Sequence, residues 1–303
     1  MTLQLDLQFE TPLVVAYGGG VDSTAMLIGF KQRSIRPDLI LTADPGSEKD
    51  ATYQYLPKIN RWLEEASFPQ VQIVRYRPQQ FKYGPYRSLA GNCIRNATLP
   101  SLAFGRKACS MKWKVAPQHA FCATWKPAVR AWRSGRKVRK AIGFDSGVKD
   151  CMRYAEAAAN AHDDSRYEYI YPLRNWGWDR DRCIREIIAA GLSAPAKSAC
   201  FCCPSTKPAE LHDLEAWQLR TIVVMETRAK PYLKAIDGLW RRPTKGVRGA
   251  VAKPGDMTRY IREHRLLEPH SVDELVASTP KGQEVPVEVL DAYLEVVTEG
   301  RKL

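Results

Sequence analysis

Short apolar runs and longer amphipathic stretches alternate along the first two-thirds of the chain. Residues 11–17 (TPLVVAY) are apolar at nearly every position and end in glycines. That is the pattern of a strand covered on both faces; a half-exposed strand would alternate. Residues 39–43 (LILTA), 71–76 (VQIVRY), 138–144 and 167–173 predict four more strands. Between the first three the apolar spacing becomes helical. Met26, Leu27 and Phe30 share a face over residues 23–33, and Tyr55, Leu56, Ile59 and Leu63 form a stripe over 48–66. Strands alternating with helices predict an α/β fold with a doubly wound, mostly parallel sheet and right-handed crossovers. Ligands of such sheets bind beyond the C-terminal ends of the strands. The turn after the first strand and Asp44 after the second fall there. From about Glu210 the strand signals fade, and 211–228 and 287–298 read as helices. The expected division is a nucleotide-binding α/β domain over 1–208 and a basic, mainly helical region over 209–303.

Bulk properties narrow the setting. No run approaches the roughly 18 apolar residues needed to cross a bilayer. The opening MTLQLDLQFE has neither the basic start nor the apolar stretch of a secretory leader. A cytoplasmic protein with no membrane partner is expected. The formal charge is +13, which speaks about partners and not about fold. Segment 126–140 holds seven basic residues and no acidic one, with Trp125 and Trp132 close by, and 241–254 is a second basic run. Either these are solvated faces, or they track the phosphates of a nucleic acid, with aromatics available for stacking. A nucleotide alone would not call for positive charge in two distant segments.

The turn itself reads Gly18-Gly19-Gly20-Val21-Asp22-Ser23-Thr24. Glycines allow positive φ and bring backbone N–H groups close to an anion. The helix behind them adds unpaired donors and a positive dipole end. Ser23 and Thr24 can add hydroxyls, and the whole suits a pyrophosphate. There is no Gly-Lys-Ser/Thr ending and no G-x-G-x-x-G spacing, so neither the Walker A loop nor the dinucleotide fingerprint is present. Asp22 suits either a Mg²⁺ ligand or a plain helix cap.

The cysteines are the second chemical signal. A cytosolic chain with eight cysteines is not expected to build a disulfide framework. Cys200, Cys202 and Cys203 fall within four residues, and the first and last form a Cys-x-x-Cys pair. Cys109 lies in a basic stretch. Clustered thiolates suit zinc or an iron–sulfur cluster, and a Cys-x-x-Cys pair also suits a redox dithiol. Cys122, Cys151 and Cys183 have no sequence partner and read as core filler. The five histidines form no metal-spaced pair.

Taken in order, these segments resemble a known family. The glycine turn is similar to the Ser-Gly-Gly-x-Asp-Ser signature of the PP-loop ATP pyrophosphatases, in their phosphoadenosine-phosphosulfate (PAPS) reductase-like branch. Gly18 stands where that signature has serine. Asp44-Pro45-Gly46-Ser47-Glu48 with Thr52-Tyr53 resembles the family's Asp-Thr-Gly-x-Glu and Glu-Thr-Tyr run. Ile142-Gly143 and Arg153 resemble its Ile-Gly-x-x-x-x-Glu-x-x-Arg segment, without the glutamate. Tyr171-Pro172-Leu173 and Trp176 resemble its Tyr-Pro-Leu-x-x-Trp. Cys109 with Lys114 and Pro117, then Cys200 and Cys203, follow a layout that in some members holds a four-iron four-sulfur cluster. The resemblance spans about residues 10–210.

It implies an adenine nucleotide alpha-hydrolase-like fold, ATP and Mg²⁺ as cofactors, and catalytic roles for Asp22 and Ser23. Nucleotide binding would fall to Gly18–Thr24, Asp44, Gly143 and Arg153. Cys109, Cys200 and Cys203 would ligate a 4Fe–4S cluster, with Cys202 or Cys93 as a fourth ligand or one iron left open. The implied chemistry is ATP cleavage to AMP and pyrophosphate, activating a nucleic acid or nucleotide for sulfur insertion, with a sulfur-donor protein as a further partner. Two alternatives stand beside it. A sulfonucleotide reductase would need a nucleophilic cysteine in a late Glu-Cys-Gly-x-His motif, and no cysteine follows Cys203. A non-catalytic nucleic-acid-binding module would tolerate the departure at Gly18.

Overall fold

The computed structural model describes residues 11–100, 102–103, 106–159, 164–246, 251–301 and 303, with the side chains of 102, 103, 106, 107 and 149 not described. The reading of residues 1–10 and positions 247–250 of the second basic run lie outside the described residues. In chain order the first elements are β1 (Leu13–Ala16), α1 (Val21–Gln32), β2 (Leu39–Ala43), α2 (Asp50–Glu65), β3 (Val71–Val74) and α3 (Leu89–Arg95). A two-residue hairpin, β4 (Leu102–Ala103) and β5 (Arg106–Lys107), leads into α4 (Ala108–Ser110), a π-helical turn at Met111–Val115 and α5 (Ala116–Cys122). Then come α6 (Lys126–Arg133), β6 (Val138–Ile142), α7 (Val148–Ala159), β7 (Tyr167–Ile170), α8 (Pro172–Asn175) and α9 (Arg180–Ala189). The last helices are α10 (Ala216–Ala229), α11 (Met257–Glu263), α12 (Pro269–Ser278) and α13 (Val287–Val297).

The chain divides into two compact units that are interleaved in sequence. The first holds residues 1–43, 50–74 and 117–198; the second holds 44–49, 75–116 and 199–303. The boundaries therefore do not follow one cut near residue 208. The segments 44–49, 75–116 and 199–208, expected in the sheet domain, pack with the C-terminal helices. Their apolar residues explain it: Leu89, Ile94, Trp113 and Phe201 share one core with Ile222, Val223 and Met225 of α10.

The first unit is built on a five-stranded sheet of order β3-β2-β1-β6-β7, every pair parallel. All five strands expected from the apolar runs are present. Alternation sorts their side chains to two faces. Val15 and Ile40 meet α1, α2 and α9 through Met26, Ile59 and Ile187. Val14 and Leu41 meet α5 and α6 through Cys122, Ala128 and Ala131. Helices thus cover both faces, which is why the strands had to be apolar throughout. Strand order reverses between β1 and β6, and in an open α/β sheet that switch point is where a crevice opens.

The second unit is helical. α10 is its axis, with Trp217, Leu219, Ile222, Val223, Val224 and Met225 all buried. Glu226 is buried with them. Its carboxylate accepts from the backbone N–H groups of Leu239, Met257 and Thr258 and from the Thr258 hydroxyl, at 2.6–2.9 Å. Four donors on one carboxylate mark it as a structural clamp, because a buried carboxylate without such partners would be costly.

Candidate active site

The site is built at the switch point of the sheet. β1 ends in the glycine turn, where Gly19 has φ +71°. A Cβ there would stand 2.9 Å from Cγ2 of Thr52, so both the conformation and the space demand glycine. Gly20 caps α1 in an extended conformation, and no side chain caps the helix. The N–H groups of the first turn are therefore left to an external acceptor or to water. Ser23 closes the loop: its Oγ donates to the carbonyl of Gly20 at 3.1 Å and accepts from the N–H of Gly18 at 3.2 Å. Thr24 departs from expectation. Its hydroxyl lies 3.3 Å from the Tyr17 hydroxyl and the residue is fully buried, as the fourth residue of α1. In this arrangement the Thr24 side chain is a packing group.

β6, the strand across the switch point, brings in the other half. A Cβ on Gly143 would lie 3.0 Å from the carbonyl carbon of Asp22 and from the N–H nitrogen of Ser23. The end of β6 thus rests directly on the first turn of α1. Beyond it come Asp145 and, at the start of α7, Asp150. One carboxylate oxygen from each of Asp22, Asp145 and Asp150 lies within 4.8 Å of the others. Asp150 accepts from the N–H of Asp145 at 3.2 Å, and Asp145 accepts from the N–H of Gly147 at 2.8 Å. Two guanidinium groups border the three charges. Arg180 reaches Asp22 at 2.8 Å, and Arg153 reaches Asp150 at 2.8 Å while lying over the Phe144 ring. Burial raises the Asp22 pKa above the ordinary aspartate value; Arg180 opposes the rise, and Asp145 and Asp150 add to it. Oxygen donors in this number suit a hard divalent cation such as Mg²⁺.

Of this group the sequence had singled out Asp22, Gly143 and Arg153. Asp145 and Asp150 were missed. A signal was present: Asp150 precedes Arg153 by three residues, the spacing of glutamate and arginine in the resembled segment. The glutamate of that segment is absent here, as expected, and Asp150 stands two positions further along the chain.

Asp44 belongs to the second unit. Its Oδ1 accepts from the N–H of Gly46 at 2.7 Å and its Oδ2 meets Arg75 at 2.7 Å. In this arrangement Asp44 closes the turn after β2.

Five cysteines gather in the second unit. Cys93, Cys200 and Cys202 are part of its core, and Cys109 and Cys203 pack against it partly exposed. Residues 199–201 pair with 47–49 through Phe201 N–H to Ser47 and Lys49 N–H to Ala199, which seats Cys200 beside Glu48. Lys114 ion-pairs with Glu48 at 2.6 Å. Burial opposes the charge of Lys114, but Glu48 more than offsets this and holds the ammonium above the usual lysine range. Burial also pushes the Cys200 and Cys202 thiols well above the ordinary cysteine range, and Glu48 adds to the rise at Cys200 while Lys114 opposes it. Cys93 is raised in the same way, by burial first and then by Cys109. Lys114 sits in the π-helical turn that follows Cys109, and such turns recur at functional positions. Among the described residues, only the three aspartates bring three ligand atoms within 4.8 Å of one another; no three sulfurs do so. Cys122 and Cys183 are core residues as expected. Cys151 is not: it is half-exposed, with Arg174 Nη2 3.4 Å from its sulfur.

The tryptophans of the basic segment also differ from expectation. Trp125 and Trp132 are partly buried against the core, and Arg166 lies over Trp132 at 5.3 Å, so neither is a fully exposed ring.

No protein-family model matches the chain, and no curated protein matches it.

Proposed function

We propose that this chain is an ATP-cleaving enzyme of the PP-loop type, with an adenine nucleotide alpha-hydrolase-like fold, that activates a nucleic acid or nucleotide for sulfur insertion. The observation that carries the reading is the meeting of an uncapped helix N-terminus with three carboxylates, at the point where the strand order of a parallel sheet reverses. That juxtaposition suits an anion chelated to a cation, which is the form ATP takes in the cell. The resemblance of Gly18–Ser23, Gly143 and Arg153 to PP-loop segments supports the same reading.

In the proposed reaction, an oxygen of the substrate attacks the α-phosphorus of ATP. The bond between that phosphorus and the α–β bridging oxygen breaks, and pyrophosphate leaves. The backbone N–H groups of Gly19–Ser23 would hold the leaving pyrophosphate, aided by the helix dipole. Asp22, Asp145 and Asp150 would hold Mg²⁺, whose chemistry is to neutralise the charge that develops on the leaving group. Arg153 and Arg180 lie at the rim of this group and would orient phosphate oxygens. The substrate oxygen, now an adenylate ester, is a good leaving group for a sulfur nucleophile, with AMP released. Cys109, Cys200 and Cys203 would hold the iron–sulfur cluster, with Cys202 or Cys93 as a further ligand. Their thiolate chemistry suits soft metal, and the layout of Cys109, Cys200 and Cys203 resembles that of cluster-holding members of the PP-loop group.

The test is calorimetry with ATP and Mg²⁺ on anaerobically purified protein, together with chromatography of the products. Binding followed by equal yields of AMP and pyrophosphate on adding substrate RNA or DNA is expected. Absence of any ATP or AMP binding would sink the proposal.

A further inference from the structure

The basic segment 126–140 is a built surface with a cleft in it. α6 places Ala128 and Ala131 inward, and Lys126, Arg130 and Arg133 outward at spacings of four and three, one stripe of the helix. After the turn at Gly135, with φ +72°, Lys137 is exposed as well. A cleft of about 390 Å³ opens here, lined by Pro12, Asp38, Pro127, Arg130, Ser134 and Arg136. The carboxylate of Asp38 accepts from the N–H of Leu13 at 2.8 Å, so it is turned to the backbone. The negative end of α6 accounts for Arg130 and Arg133, which favour a helix C-terminus. It does not account for Lys126, which sits at the positive end and is disfavoured there, nor for Lys137 beyond the turn. No ion pair engages Lys126, Arg130, Arg133 or Lys137 among the described residues.

We propose that this cleft and stripe bind the sugar–phosphate backbone of a single-stranded polynucleotide. The inference rests on the proposed function and gives its substrate a polymeric form. Pro12 and Asp38 precede β1 and β2, so the cleft lies at the edge of the sheet opposite the glycine turn. β1 has four residues, which puts the two sites at least about 13 Å apart along the strand. A free nucleotide at the glycine turn leaves the cleft unused; a chain of several nucleotides reaches both. The side chains offered here are cationic, so the contacts are to phosphate and carry no sequence information.

The test measures binding of a labelled single-stranded 12-mer by fluorescence anisotropy across a salt series, with ATP binding followed in parallel. The proteins are the full chain and the double variants R130E/K137E and R130Q/K137Q. The expected result is oligonucleotide binding to the wild-type chain that weakens at least tenfold in both variants, with ATP affinity unchanged. The slope of log K against log salt becomes shallower by about 1.4 in the glutamine variant, two phosphate contacts at about 0.7 each. Equal binding by wild type and variants overturns the site and leaves the nucleic-acid substrate standing elsewhere on the chain. No oligonucleotide binding by the wild type, with ATP still bound, overturns the polymeric substrate but not ATP cleavage. Charge-sensitive binding to anionic vesicles with none to oligonucleotide assigns the surface to a membrane and overturns the proposal.

Discussion

The carboxylates of Asp22, Asp145 and Asp150 and the thiols of Cys93, Cys109, Cys200, Cys202 and Cys203 pose opposite problems to a folding chain. The carboxylates are charged from the start. Bringing three of them within 4.8 Å costs electrostatic energy, and the chain offsets part of it with Arg180, Arg153 and backbone N–H groups. Asp22 and Asp150 sit in the first turns of α1 and α7, and Asp145 in the segment between β6 and α7. The thiols are neutral and fold as small apolar side chains, among Trp113, Phe201 and Leu211. Burial holds the Cys93, Cys200 and Cys202 thiols above the ordinary cysteine range. A thiol must give up its proton to bind soft metal, which couples metal uptake to pH. The apolar packing that hides these three thiols also makes them inert as nucleophiles.

The comparison can be broken or sharpened by experiment. The largest expected effect is at Gly143, where a side chain would strike the backbone of Asp22 and Ser23. Gly143→Val should destabilise the first unit by about 2 kcal/mol, read by urea denaturation, and abolish nucleotide binding. If nucleotide binding survives, the approach of β6 to the glycine turn is not what shapes the site. Asp22→Asn removes a charged ligand and should weaken Mg²⁺-dependent ATP binding by roughly 100-fold, near 3 kcal/mol. Binding in EDTA should change little; an equal loss there would remove the cation from the account.

For the thiols, Cys109→Ser, Cys200→Ser and Cys203→Ser should each lose most of the iron found on anaerobic purification. Cys93→Ser and Cys202→Ser then separate a fourth ligand from core filler: the ligand loses iron, the filler only stability. Arg180→Ala gives a smaller, directional effect. Burial already raises the pKa of Asp22 and Arg180 lowers it, so without Arg180 the carboxylate stays protonated to higher pH. The acid limb of Mg²⁺-dependent binding should therefore move up in pH, and a downward move would contradict the assignment.

The smallest effect is in stability alone. His119 stacks on Tyr167 at 4.8 Å, and burial lowers its pKa to about 4. An unfolded histidine protonates near 6.5. Between these values the unfolded chain binds the extra proton, so stability present above pH 6.5 is lost as pH falls towards 4. His119→Gln should flatten the dependence of Tm on pH across that window.

The strands were legible because a doubly covered strand must be apolar at consecutive positions, as in Leu13–Ala16 and Leu39–Ala43. Most of the small helices were not. α3 and α6 are seven and eight residues long, too short for a period to show. The glycine turn was legible from Gly19 and Gly20, whose constraint is local. Asp145 and Asp150 escaped because they lie more than 120 residues from Asp22 in sequence, and only the pairing of β1 with β6 brings them to it.

By itself the sequence determined the parallel sheet, the place of the glycine turn at its first strand, and the chemical types available: oxygen donors near residue 22 and thiols near residue 200. These follow from local rules, since periodicity, glycine conformation and side-chain chemistry need no distant partner. Tertiary structure alone decided the rest. It turned Thr24 into the core, gathered Asp22, Asp145 and Asp150 across the β1–β6 switch point, and packed residues 75–116 with α10. The last two join residues far apart in sequence, and such contacts are selected by the burial of the whole core and not by any one segment's pattern.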